Sequence, residues 1–240
     1  TQVPQMCRNA AARVAGVPVE QVDLHVTLLG GGFGRRLEVD YVAQAVRVAM
    51  DMPGVPVQLV WSREEDTTHD FYRPMQVARL RATLDGTGGP VALHIKSAGD
   101  AIAPRWMERG LPTLAGPFDL PDKTASEGLF DQAYGFEHQR MEHVFTRHPV
   151  PVGFWRSVGH SHQAFFKESF LDEAAAAAKQ DPVAFRLRHL AQAAAGDHLA
   201  DPVLVRALDA THDAGRAVPR RCGAVEAGSA SFLRIYRLGD

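Results

Sequence analysis

From Val22 to Leu28 the chain alternates apolar and polar residues, with Val22, Leu24, Val26 and Leu28 set against Asp23, His25 and Thr27. That period of two predicts a half-buried strand. Ahead of it, Gln5 to Ala15 reads as a helix, and beyond it Tyr41, Val42, Ala45, Val46 and Ala49 recur at helical spacing until Pro53. Val55 to Trp61 predicts a second, largely buried strand, and Ser62 with Glu65 a capping box for a short turn. Two more strands, Gln76 to Leu84 and Pro90 to Ala98, flank DGTGG, whose Asp-Gly and Gly-Gly pairs favour a hairpin. Gly99 to Glu137 is rich in Pro, Gly and Asp with weak periodicity and reads as a long, partly ordered excursion. A strand over Gln139 to His148 then leads through VPVGFWRSVGHS into a helix carrying Phe165, Phe166, Ser169 and Phe170. Asp181-Pro182 and Asp201-Pro202 each suit a helix start, with Asp as cap and Pro in the first turn. A further strand is expected in the tail beyond Ala217. These elements predict an α+β fold with mixed sheets, divided into a first subdomain over 1–138 and a second over 139–240.

The first predicted strand runs into LLGGGFGRR, Leu28 to Arg36, where four glycines occupy five positions. Bare main chain at a strand–loop–helix junction, followed by two guanidinium groups, can receive an anion. A strand-ending turn with surface arginines is the alternative. The nucleotide fingerprints fail here: G-x-G-x-x-G would need glycine at Arg35 or Leu37, and no Gly-Lys-Ser/Thr follows for a Walker loop. GFWRSVG repeats the arrangement of glycine, arginine and following helix, so two loops could grip two parts of one ligand. Such junctions are also common in α+β domains.

Composition narrows the function classes. A net charge of -2 and 22% charged residues disfavour nucleic acid as a partner. No apolar run reaches the roughly 20 residues needed to span a bilayer. Cys7 and Cys222 cannot ligate an iron–sulfur cluster, and the histidines form no complete metal-ligand set, so no metal site is assigned to side chains of this chain.

Five segments in order, TQVPQ, LGGGFGRRLEVDYVAQA, WSREED with HDFYRP, VPVGFWRSVG and ESFLDEAA, resemble the cofactor-binding large subunit of the molybdenum hydroxylases. The resemblance is nearest to the isoquinoline 1-oxidoreductase beta-subunit branch of the xanthine dehydrogenase and aldehyde oxidoreductase family, and it covers about Thr1 to Leu190. It implies subdomains of the molybdenum-cofactor-binding type and a molybdopterin, in bacteria often the cytosine dinucleotide. It implies oxidation of N-heterocycles or aldehydes with water-derived oxygen, and iron–sulfur clusters on a separate small subunit. Residue by residue, it implies that Gln2 approaches the metal's ligands, that Gly31, Gly32, Phe33, Gly34 and Arg35 form the loop around the metal end, and that Arg156 meets the pterin. Arg36 and Leu37 replace the lysine and glutamate of xanthine-type members, so a purine pocket is not implied, and HDFYRP differs enough that no substrate role is carried to Arg73. The family's general base is a glutamate in a Gly-Val-Gly-Glu type segment that has no match here; Glu226 in GAVEAGS is a superficial likeness. The chain alone is therefore expected to be inactive and to need the remainder of a large subunit, in a cytoplasmic or periplasmic enzyme. A non-catalytic module binding an oxyanion or another subunit is the competing expectation.

Overall fold

Pro4 begins helix α1 (Pro4–Ala15), where its missing N–H costs nothing, and Gly16 ends it in the left-handed region at φ 69°. This computed structural model describes residues 1–114, 122–131, 133–195 and 231–238. Helix α2 spans Asp40–Met50 and α3 Arg63–Thr68. The expected cap on α3 is present: Ser62 Oγ accepts from Glu65 N at 3.1 Å, and the short turn continues into a six-residue helix. Helices α4 (Ala103–Gly110) and α5 (Lys123–Ser126) add order to the Gly99 to Glu137 excursion. Helix α6 (His160–Ala177) precedes α7 (Pro182–Ala195), whose first turn is capped by the Asp181 carboxylate accepting from Val183 N at 3.0 Å and Ala184 N at 2.9 Å. The helix expected at Asp201-Pro202 lies outside the described residues, as does Glu226.

The strands form one mixed sheet in the order β3-β2-β1-β4. β1 (Gln76–Leu84) and β2 (Pro90–Gly99) make the expected antiparallel hairpin. At its turn Asp85 Oδ1 accepts from Thr87 N, Thr87 Oγ1 and Gly89 N at 2.7–2.8 Å. β3 (His138–Phe145) runs parallel to β2, and β4 (Ser231–Leu238) runs antiparallel to β1. The α+β class with a mixed sheet is thus the observed one.

The other two predicted strands are corrections. Neither Val22 to Leu28 nor Val55 to Trp61 forms a ladder with any described residue, and Val26 and Val60 are 53% and 74% exposed. Alternation reports which faces of a chain differ in polarity, whereas a strand also needs a neighbour to take its N–H and C=O groups.

Two compact units divide the chain. The first comprises Thr1–Pro74, Asp100–Ala125 and Arg147–Val158, and so holds both glycine-bearing loops. The second comprises Met75–Gly99, Ser126–Thr146 and the described part of Gly159–Asp240. Its core lies between the sheet and α6: Ala78, Leu80 and Ala82 from β1 and Leu93 and Ile95 from β2 are buried with Phe166, Phe170, Leu171 and Ala174. Phe185 and Leu190 of α7 complete this cluster. Arg186 joins the two helices, donating to Glu168 Oε2 at 2.9 Å and Asp172 Oδ1 at 2.6 Å.

On β3, Glu142 bonds His94 Nε2 at 2.7 Å and accepts from Arg140 Nη2 at 2.8 Å. The His94 bond chiefly, then Arg140, lowers its carboxyl from 4.5 to about 2. A lowered folded-state value contributes stability above the unfolded value that is lost on acidification through the folded one. Glu142→Gln should therefore flatten the acid limb of the stability curve between 4.5 and about 2, read by hydrogen exchange along β2 and β3 as pH falls. An acid limb identical to that of the unsubstituted chain would refute this assignment.

Candidate functional site

Gln2 lies across the glycine loop. Its backbone N donates to Arg36 O at 2.9 Å, and its side-chain Oε1 accepts from Gly34 N at 3.1 Å. The approach depends on the absence of a side chain at Gly32, where a Cβ would fall on the end of Gln2. Around the tip the chain is left-handed at two successive residues, Phe33 at φ 51° and Gly34 at φ 93°. Gly34 is required sterically as well, because a Cβ there would meet the Phe154 carbonyl. Phe33 has a side chain and still adopts this conformation, which L-residues other than glycine rarely take, while remaining 60% exposed. Among the described residues the N–H groups of Gly31, Gly32 and Phe33 have no hydrogen-bond acceptor.

The second loop comes to the same place. The Arg156 guanidinium lies 5.6 Å from the centroid of the Phe33 ring, a cation–π arrangement. Arg156 itself sits in a tight turn: Val158 N donates to Trp155 O at 2.7 Å, with Ser157 at φ 65° and Val158 at φ 45°. Arg73 donates through Nη1 to Val158 O and through Nη2 to Arg156 O, the latter at 2.8 Å. Burial lowers the pKa of Arg73, whose guanidinium serves backbone carbonyls at these two contacts. The structure therefore brings together Gln2, Gly31, Gly32, Phe33, Gly34 and Arg156 within one unit.

Arg35 is placed differently from its neighbours. Its guanidinium makes paired 3.0 Å bonds to Asp40 and lies 3.4 Å from Asp66 and 3.2 Å from Asp70. Burial works against this cation, but the Asp40 bond and the three carboxylate fields outweigh it and raise its pKa. With its charge compensated in this way, Arg35 ties the loop exit to the start of α2 rather than offering a free cation to a ligand.

Sequence reasoning missed the support beneath both loops. Arg109 on α4 pairs with the buried Glu38 at 2.6 Å, and its guanidinium lies 3.9 Å from the Phe71 ring centroid. Trp106 Nε1 donates to Leu37 O at 3.1 Å, and its ring meets Phe154 edge-on at 5.9 Å. Helix α4 thus bridges the end of the glycine loop and the start of the second loop. Asp100 anchors it, binding Arg105 at 3.1 and 3.2 Å and accepting from His148 N at 3.0 Å. No local sequence signal announced it: Asp100 does not cap α4, whose Ile102 N donates instead to Asp122 Oδ2 at 2.6 Å, a partner 20 residues on.

The family described as the molybdopterin cofactor-binding domain matches residues 1–190. The chain belongs to this family. Among curated members, the chain is 31% identical over 191 residues to isoquinoline 1-oxidoreductase subunit beta of Brevundimonas diminuta, covering 79% of this chain and 24% of that protein. It is 31% identical over 183 residues to a membrane-bound aldehyde dehydrogenase of Gluconacetobacter polyoxogenes, covering 75% of this chain and 23% of that protein. The chain thus spans about a quarter of the length of these relatives. Crystalline quinoline 2-oxidoreductase from Pseudomonas putida 86 shares the fold with a TM-score of 0.56 at 22% identity, over 78% of this chain and 23% of that one. Both expectations carried by the five segments, the family and its fold, are met. No helix among the described residues is long and apolar enough to cross a membrane.

The site's chemistry fits the group that binds this family. A molybdopterin-binding domain must present hydrogen-bond donors to an acceptor-rich, anionic ligand without crowding it. Here three loop amides lack an acceptor among the described residues, the missing side chains at Gly32 and Gly34 let Gln2 and Phe154 approach the loop closely, and Gln2 and Arg156 add further donors beside it.

Proposed function

We propose that Gln2, the Gly31–Arg35 loop and Arg156 form one wall of a molybdopterin site in an oxidoreductase that hydroxylates N-heterocycles or aldehydes with water-derived oxygen. The observation that carries this reading is the convergence of Gln2, the loop amides of Gly31, Gly32 and Phe33 that have no acceptor among the described residues, and the Arg156–Phe33 pair in a single unit. When bound, the cofactor supplies the two-electron redox chemistry at its metal. This chain's residues orient and hold it. The loop amides would donate to the cofactor's metal end, the Gln2 side-chain NH₂ would be a further donor there, and Arg156 would offer a planar cation to the pterin. Arg35 contributes its backbone, since its side chain is held by Asp40, Asp66 and Asp70.

The reading extends to the cytosine dinucleotide form of the cofactor and to a small iron–sulfur subunit that takes the electrons. It also requires the remainder of a large subunit to supply the general-base glutamate. The exposed apolar side chains of Val26, Leu28, Val55 and Val60 support packing against a further protein surface, and they equally favour the second reading, a subunit-binding module without catalysis.

The longer protein containing this chain, produced with its small subunit and cofactor-maturation factors, should carry molybdenum and pterin by elemental analysis and pterin fluorescence. Arg156→Ala should lower both, while the 240-residue chain alone should show no turnover. Absence of molybdenum from the unsubstituted protein would overturn the cofactor reading and leave the subunit-binding one. Turnover by the chain alone would refute the argument from the missing base.

A further inference from the structure

We propose that Arg73 is a positioning residue for the molybdopterin wall: its two-pronged hold on the Arg156 and Val158 carbonyls keeps the Trp155–Val158 turn in its left-handed form and so sets Arg156 over Phe33. The significance of this for cofactor binding rests on the reading given above; the hold itself does not. Ser157 at φ 65° and Val158 at φ 45° occupy a region that L-residues avoid, and for a β-branched residue such as Val158 it is a marked outlier. Left to itself, this turn should relax toward negative φ, moving the Arg156 side chain with it. The turn's own bond, Val158 N to Trp155 O, holds one side. Arg73 holds the other, with Nη1 on Val158 O and Nη2 on Arg156 O, two acceptors separated by the strained residue Ser157.

The choice of cation suits the task. A guanidinium presents parallel donors in a fixed plane and can bind two carbonyls at once, whereas an ammonium is a point donor on a flexible stem. Its Cζ also lies 5.9 Å from the centroid of the Trp155 ring, so Arg73 touches the turn at Trp155, Arg156 and Val158. Arg73 comes from the HDFYRP segment, where Tyr72 N donates to Pro151 O at 2.9 Å and Gly153 N donates to Tyr72 O at 3.1 Å. This backbone pairing fixes the origin of the Arg73 side chain relative to the loop it holds. HDFYRP thereby acquires a role distinct from contact with substrate.

Amide exchange at Val158 in the full chain reads the hold directly and needs no cofactor. Arg73→Gln should speed that exchange by about tenfold or more, the expected consequence of losing two charge-assisted carbonyl bonds, while the β1/β2 amides exchange as before. Arg73→Lys should give only partial protection. Adding Val158→Gly to Arg73→Gln should bring exchange back toward the original rate, because glycine adopts the turn without strain. Unchanged exchange at Val158 in Arg73→Gln would overturn the proposal, and so would an equal rise in exchange throughout α1 and the β1/β2 hairpin, which would mark general destabilisation. Retention of full molybdenum by Arg156→Ala in the longer protein would instead overturn the place of Arg156 in the cofactor wall, with the exchange result at Val158 unaffected.

Discussion

Gly34→Ala is expected to separate the two loops of the site and to destabilise the unit that carries them by about 2–4 kcal/mol, the sum of left-handed strain and a backbone clash. Gly34 lies at φ 93°, and an added Cβ would fall on the carbonyl carbon and oxygen of Phe154. Those are main-chain atoms braced by Trp106 against the Phe154 ring, so they cannot swing aside as a side-chain tip could. Cofactor retention by the longer protein should fall with the stability, because the same displacement moves Phe33 away from Arg156. Gly30→Ala is the matched control: a Cβ there meets nothing within 4 Å, and its effect should stay within about 0.5 kcal/mol. Gly32→Ala should lie between them, since its Cβ would meet the mobile end of Gln2 rather than backbone. Denaturant unfolding of the three variants checks the order, and equal stability of Gly34→Ala and Gly30→Ala would refute it.

These three glycines mark what the sequence could and could not disclose. The run GGGFG announces an open backbone, but it does not say which glycine opens onto solvent and which onto Gln2 or Phe154. That distinction depends on Gln2 and Phe154, partners far from Gly32 and Gly34 in sequence. Local chemistry was legible wherever it was complete within a few residues: Ser62 and Asp181 cap as expected, Asp85 closes the hairpin, and Pro4 and Gly16 bound α1. Val22 to Leu28 and Val55 to Trp61 were misread because pairing is non-local, and alternation carries no information about whether a neighbour is present. Arg35 shows the same limit in electrostatics. Next to the glycines it looks like a free cation, yet Asp40 at the start of α2, Asp66 in α3 and Asp70 in the bend after α3 converge on it. Arg109 and Glu38 are separated by α2, α3 and the hairpin, so neither advertises the pair they form.

Phe166→Ala should have the largest effect on the second unit, a loss of about 3–5 kcal/mol, as expected for removing a buried aromatic ring. His162, Phe166, Phe170 and Ala174 follow one another at intervals of four on α6, and all are buried. Steps of four keep side chains on one face of a helix, so this stripe is what attaches α6 to Leu80, Leu93 and Ile95. The cavity left by the ring would sit between packed elements, with little freedom to collapse onto the sheet. Set against a domain stability of about 5–15 kcal/mol, the loss should expose much of the hairpin. Phe165→Ala provides the comparison: its ring is 46% exposed and meets Phe166 edge-on at 6.0 Å, so truncation should cost about 1 kcal/mol or less. Hydrogen exchange separates a local from a general effect. In Phe166→Ala the β1 and β2 amides should lose protection by a larger factor than Val158 in the first unit, because the core that holds them is the one being emptied. A greater loss at Val158 than along the hairpin would refute the assignment of this core to the second unit.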